Sequence, residues 1–173
     1  RRFPVGFMSV VEISGVNIAY RVVPSLHRVM KFQPIGDGER GFKLCRIENK
    51  TILKGGKIQL NMHDGRNFVI DQQAEAESEA TEVEYRVFDT VKVDLANQMI
   101  QDCFKFEEGM YAVIIGGKNI GRHGKITEVE RLEYKPKNLE TVKIEAEGVE
   151  YSTIPKYVFV VGRENSIISL PGG

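Results

Sequence analysis

Residues 108–131 read E-G-M-Y-A-V-I-I-G-G-K-N-I-G-R-H-G-K-I-T-E-V-E-R. An apolar, largely β-branched run from Tyr111 to Ile115 ends at Gly116-Gly117. The loop Lys118-Asn119-Ile120-Gly121-Arg122-His123-Gly124 follows, and a second alternating run begins at Lys125. Two strands with one buried face, joined by a tight loop, account for this pattern. The glycines permit positive φ in the loop, and Lys118, Arg122, His123 and Lys125 load one rim with hydrogen-bond donors. An ordinary surface hairpin with cations in its turn would read the same way, so the rest of the chain has to decide between them.

The strand–glycine–basic loop–Gly124–strand pattern resembles the KOW motif, the nucleic-acid-binding hairpin of small SH3-like barrels. The residues that follow are consistent with such a barrel. Strand-like runs at Lys125–Glu130 and onward to Tyr134, at Thr141–Ala146, Val149–Thr153 and Tyr157–Val161 are separated by turn residues. With the first run they place five short strands in about 55 residues, the spacing of a small barrel.

The 173 residues exceed one typical small domain. Hydrophobic residues make up 42% and charged residues 28%, a globular balance, and no apolar run approaches the roughly 18 residues of a membrane span. Cys45 and Cys103 stand far apart without a CxxC or a zinc-finger histidine spacing, which predicts two reduced thiols and no metal site. The net charge is zero but unevenly distributed: residues 1–68 balance at +7, residues 69–110 at −8 and residues 111–173 at +1. One face could therefore meet phosphate while another stays in water.

Upstream of the hairpin the chain also reads as strands. Val10–Ile13 and Asn17–Val23 flank a Ser14-Gly15 turn, and a third run, Val29–Phe32, is expected to stop at Pro34. Phe42–Ile47 alternates apolar with basic residues, and either set could face a core. Lys57–Met62 lies between turns at Gly55-Gly56 and Asp64-Gly65. Its Ile58, Leu60 and Met62 face one way, and Lys57, Gln59, Asn61 and His63 the other, with Lys54 and Arg66 nearby. That polar face suits a phosphate backbone or base edges, or simply water. Gln72–Glu84 is acidic and apolar-poor and faces solvent or a protein neighbour, and residues 72–80 within it read as a solvated loop or short helix. Thr81–Phe88 alternates like a strand, and Asp89–Phe106 reads as a hairpin turning at Ala96-Asn97-Gln98. The fold class expected is mostly β. Residues 1–8 form a connector, 9–106 a central β domain, and 107–173 a KOW SH3-like barrel with a C-terminal strand.

No catalytic constellation is present. Gly116-Gly117-Lys118 lacks the P-loop spacing, and His27, His63 and His123 have no serine or cysteine partner in a recognisable motif. His63 and His123 instead sit beside glycine-rich basic turns, where a histidine can stack on or hydrogen-bond to RNA.

Several blocks together resemble one family. F-P-V-G-F-M-S-V-V-E-I, K-L-C-R-I, K-G-G-K-I-Q-L-N-M-H-D-G-R-N, G-G-K-N-I-G-R-H-G-K-I-T and the ending from Val158 through I-S-L-P-G-G are similar to the "S-four-e" family of archaeal and eukaryotic small-subunit ribosomal proteins. The likeness runs in order over essentially the whole chain. It implies a structural, non-enzymatic component of the small ribosomal subunit in the cytoplasm, from an archaeal source. Its partners would be small-subunit ribosomal RNA and neighbouring ribosomal proteins, with no cofactor, no small-molecule substrate and no membrane. The RNA-contacting role carries over to Lys118, Asn119, Arg122, His123 and Lys125. The polar strand and its turns add Lys54, Lys57, His63 and Arg66 to the expected RNA-binding set. The family usually opens with a basic extension and an S-four-type RNA-binding domain and closes with a basic tail, so this chain reads as a fragment of such a protein. Two rival readings are a transcription-elongation factor, another use of KOW barrels, and an RNA-modifying enzyme with a β appendage. The first would need a mixed α/β domain that residues 9–106 do not suggest, and the second an acid or base in a pocket.

Overall fold

The computed structural model describes residues 4–13, 15–27, 29–71, 84–130 and 140–171. The expected loop or helix at 72–80, the first residues of the run from Thr81, and the strand continuation through Tyr134 lie outside the described residues. Among the described residues, thirteen strands, all paired antiparallel, form three sheets. The first holds β1 (Val10–Ile13), β2 (Ile18–Val23) and β3 (Lys31–Ile35) in the order β1-β2-β3. The second holds β4 (Phe42–Ile52), β5 (Lys57–Met62), β6 (Asn67–Asp71), β7 (Thr90–Asp94) and β8 (Ile100–Phe104) in the order β6-β5-β4-β7-β8. The third holds β9 (Tyr111–Ile114), β10 (His123–Glu130), β11 (Thr141–Ala146), β12 (Val149–Thr153) and β13 (Val158–Gly162) in the order β12-β11-β10-β9-β13. Among the described residues, helix is confined to single turns at Asp37–Arg40 and Pro155–Tyr157. The fold is mostly β, as the strand patterning predicts.

Strand β4 explains why the Phe42–Ile47 pattern could not be assigned one inward face. All six residues are buried, because β4 has a core on both sides. Phe42 and Leu44 join a cluster with Phe104, Phe106, Ile114, Ile126, Ile144 and Phe159. Cys45 and Ile47 join a second cluster with Ile58, Leu60, Met62, Val91 and Val93. The first half of β4 pairs with β7 and the second half with β5, and a bulge at Glu48 makes the changeover. The first cluster thus takes side chains from both five-stranded sheets. Met8 is fully buried in it, and Phe7 packs edge-on against Phe159 at 4.9 Å.

Two expectations are corrected. The third run does not stop at Pro34: β3 continues through it to Ile35, which the sheet tolerates because β3 is an edge strand and needs no ladder donor there. Nor is Glu84–Phe88 a strand. The Asp89 carboxylate accepts from the Arg86 N–H at 3.0 Å and the Phe106 N–H at 2.8 Å, while the Asp89 N–H returns to the Arg86 carbonyl at 3.2 Å. These local bonds fold the segment into a turn, with Phe88 at φ 76°.

Cys45 and Cys103 both pair across Val91 and therefore stand two strand spacings apart, about 9.6 Å, beyond disulfide reach. Both are free, and burial pushes their thiols up to about 12 and about 11. Neither is poised as a thiolate.

The buried Arg46 guanidinium ties the second sheet to the third. Nη1 donates to the carbonyls of Lys156 at 2.9 Å and Val158 at 2.8 Å, and Nε and Nη2 donate to Glu48 Oε1 at 3.0 and 2.5 Å. Removing it leaves the buried Val158 carbonyl, the partly buried Lys156 carbonyl and a carboxylate without this donor, at a cost of about 3 kcal/mol. Arg46→Ala should therefore lower the urea midpoint of this chain well below wild type. A midpoint unchanged within error would show that the two sheets are held by apolar packing alone.

Candidate nucleic-acid interface

The loop between β9 and β10 is closed by backbone bonds before any side chain contributes. The Gly121 N–H donates to the Ile114 carbonyl and the Ile114 N–H to the Arg122 carbonyl, each at 2.8 Å. Positive φ is used at Gly117 and Gly121 but not at Gly116 or Gly124. At Gly124 the requirement is close approach instead, because a Cβ there would collide with the Glu145 carbonyl of β11. A Cβ at Gly121 would also meet the Ser25 and Leu26 backbone at 2.5 Å, so the loop is packed against the segment after β2.

On this frame Lys118 and Lys125 are exposed, while Asn119, Arg122 and His123 are half-buried. The Arg122 guanidinium lies 5.2 Å from the Tyr151 ring centre, with Nη1 3.2 Å from Glu147 Oε2. The His123 Nδ1 lies 2.9 Å from the Tyr111 hydroxyl, and burial lowers the imidazole against the opposing effects of the Pro171 backbone and Glu147. Tyr111, His123, Lys125, Glu145 and Glu147 line an open cavity of about 510 Å³. The sequence singled out the cations of this loop but not its neighbours. Tyr151, Glu145 and Glu147 arrive from β11, β12 and their turn, and only the antiparallel pairing of β10, β11 and β12 brings them here.

The second expected group is distributed differently. Lys54 is exposed in the turn before β5, and Lys57 Nζ pairs with Asp71 Oδ2 at 3.3 Å. Arg66 is held by Asp64 Oδ2 at 3.3 Å and Gln98 Oε1 at 2.6 Å. Asp64 Oδ2 also accepts from the buried Lys43 Nζ at 2.7 Å. Burial pushes the Asp64 carboxyl up, but Lys43 and the Arg66 N–H outweigh it and hold the group below its ordinary value. His63 points inward. β5 ends at Met62, and the turn that follows, closed by Met62 N–H to Arg66 carbonyl at 2.8 Å, breaks the alternation. Its Nδ1 accepts from the Arg46 N–H at 3.1 Å, and its ring lies edge-on to Phe7 and Phe159 at 5.7 and 5.3 Å. Among the described residues no cluster of three His, Cys, Asp or Glu is placed to hold a metal ion, and no helix is long and apolar enough to cross a membrane.

Comparisons with known proteins agree with one another. A family model described as ribosomal family S4e matches residues 16–100. The chain is 40% identical over 172 residues to small ribosomal subunit protein eS4 of Methanothermobacter thermautotrophicus, an alignment covering 99% of this chain and 66% of that protein. It is also 40% identical to the protein of the same name from Desulfurococcus amylolyticus, covering 99% of this chain and 67% of that relative. The chain therefore spans about two thirds of the length of these curated relatives. Among solved structures, the 30S ribosomal protein S4e from Thermoplasma acidophilum matches with a TM-score of 0.71 and 28% identity, covering 92% of this chain and 73% of that one.

The inward placement of His63 sets a pH dependence. Burial lowers it from 6.5 to about 4, with Lys43 and Arg46 adding to the effect and Asp64 opposing it. The folded chain holds the imidazole neutral, whereas the unfolded chain takes up a proton below its ordinary value. This contribution to stability is intact above about pH 6.5 and falls by roughly 2–3 kcal/mol as pH drops toward 4. His63→Gln should flatten the fall in urea midpoint between pH 7 and pH 4.5. An equally steep fall in the variant would assign the acid sensitivity to other groups.

Proposed function

Because this chain belongs to the ribosomal protein family S4e, we propose that it serves as a structural component of the small ribosomal subunit in the cytoplasm, holding folded ribosomal RNA without performing chemistry. Residues 107–173 act as the KOW SH3-like barrel of the protein and residues 9–106 as its central β domain. The five antiparallel strands β9 to β13 and the glycine-bounded loop between the first two support that division.

The observation that carries the RNA-binding reading is the loop itself. Lys118 and Lys125 reach solvent from a backbone that packing on both sides keeps from adjusting, and Arg122 is spread over an aromatic ring next to them. A fixed backbone with free cations suits phosphate contacts, which position a protein on RNA without reading sequence. The Glu147 carboxylate already occupies one edge of Arg122, so an RNA phosphate would take that place. Asn119 and His123 supply uncharged donors beside it. Lys54 and Lys57 extend the cationic surface on the second sheet, and His63 and Arg66 hold the adjacent turn in shape. Other faces of the chain meet neighbouring ribosomal proteins.

Binding of this chain to a small-subunit ribosomal RNA transcript, measured across a range of potassium chloride, tests the reading. Arg122→Ala/Lys125→Ala should make the slope of log K against log salt shallower by about two, roughly one per lost phosphate contact. An unchanged slope would remove the loop from the interface.

A further inference from the structure

The solvent face of β4, β5 and β6 carries a ladder of uncharged polar side chains. Directly paired residues share a face, and the register places Asn49, Asn61 and Asn67 in one row and Thr51, Gln59 and Val69 in the next. Lys57 and Asp71 complete the same face at one end. The alternate residues Ile58, Leu60 and Met62 are buried in the second core, so a slip that would turn the ladder inward is excluded. Asn61 Nδ2 donates to Asn67 Oδ1 at 2.7 Å, and Asn49 Oδ1 accepts from the Lys50 N–H at 2.9 Å. The Asn67 and Asn49 amide nitrogens and the whole Gln59 amide make no hydrogen bond among the described residues. Each row thus keeps donors for an outside partner.

Cations bracket the ladder. Lys54 and Lys57 stand at the Gly55-Gly56 end, and Arg66 belongs to the turn at the other end, with the six residues of β5, about 20 Å of strand, between them. The Asp71 carboxylate lies beside Lys57 at 3.3 Å, and the Asp64 carboxylate is shared by Lys43 and Arg66. No carboxylate stands in either amide row. A protein partner would be favoured by an apolar centre, and in these rows Val69 is the single apolar side chain.

We infer that this face docks in the minor groove of an A-form RNA helix. Its amides meet 2′-hydroxyls and base edges, while the flanking cations meet the phosphate ridges on either side. Duplex RNA presents a wide, shallow minor groove lined with 2′-hydroxyls that both donate and accept, and Asn and Gln offer both functions in one group. A sheet face fits a shallow groove. The inference rests on the RNA-binding reading above and adds a second surface with a different mode of contact. Uncharged contacts release no counterions, so the amide rows contribute affinity and preference for RNA without steepening the salt dependence, which the flanking cations carry.

Two variants of this chain test it, Gln59→Ala/Asn61→Ala and the shape-conserving Gln59→Glu/Asn61→Asp. Neither side chain belongs to a core cluster. Each would be titrated against the small-subunit ribosomal RNA transcript and against a mixed-sequence DNA duplex. The alanine pair should weaken RNA binding about tenfold, the loss of two hydrogen bonds of ordinary strength. The salt slope and the DNA affinity should not move, and the acidic pair should bind RNA more weakly still. RNA binding at the wild-type level by both pairs overturns the inference, as does an equal loss on RNA and DNA. If Arg122→Ala/Lys125→Ala still weakens binding in that case, the basic-loop reading stands without this face. If no variant alters binding, both readings fall together.

Discussion

Arg46 is the point through which the two larger sheets are held in register. It sits on β4, the strand with a core on each side, and its guanidinium is spent on carbonyls at the entry to β13 and on Glu48 at the β4 bulge. A buried guanidinium is tolerable only when its donors are satisfied, so its partners constrain one another. The β4 bulge, the turn at Pro155–Tyr157 and the start of β13 must all stay in place for it to remain buried. His63 and Phe159 pack edge to face beside it, and Phe7 closes the group from the start of the chain. Arg21 is fully buried and less completely paired, since only its Nη2 is hydrogen-bonded while Nε and Nη1 have no hydrogen-bond partner among the described residues. It donates to the carbonyls of Glu39 and Phe42, while the Glu39 carboxylate accepts from Ser169 near the other end of the chain.

These clamps bear on the proposed function because the two proposed binding surfaces lie on different sheets. The basic loop belongs to the third sheet and the amide ladder to the second. Cations on a flexible tether would bind phosphate wherever they met it. Held on sheets that share a core, they can present a fixed pattern to one folded RNA. The loop achieves its rigidity cheaply: Gly121 and Gly124 bring neighbouring backbone so close that the segment has little room to rearrange. On the proposed reading, the same separation lets a neutral chain bind a polyanion. The excess of acid falls between residues 69 and 110, while the exposed cations of the loop and of the β5 turn lie on either side of that stretch in sequence.

Much of this is legible in the sequence. The alternation Ile58-Leu60-Met62 gave the buried side of β5, and the glycine-bounded loop marked the β9–β10 hairpin, because each depends on local periodicity and turn chemistry. What could not be read depends on contacts distant in sequence. Phe42–Ile47 looked ambiguous because both of its faces are buried, a property of the sheets above and below. Glu84–Phe88 has strand-like composition, but the Asp89 carboxylate captures its backbone into a turn. His63 falls on the polar side of the alternation and still turns inward, since the strand ends one residue before it. The aromatic support of Arg122 and the acids around His123 come from β11, β12 and the turn joining them, invisible to any reading of residues 108–131 alone. The family resemblance supplied the role; it did not supply the geometry of the site.

On the proposed function this protein works as a fixed piece of the small ribosomal subunit. Sedimentation of the protein from a lysate of its own cells through a sucrose gradient, first at low salt and then after a high-salt wash, tests that most directly. The protein should stay with the small subunit through the wash, since uncharged contacts and a rigid shape persist where screened phosphate contacts weaken. Sedimentation with RNA polymerase, or alone at the top of the gradient, would overturn the ribosomal role.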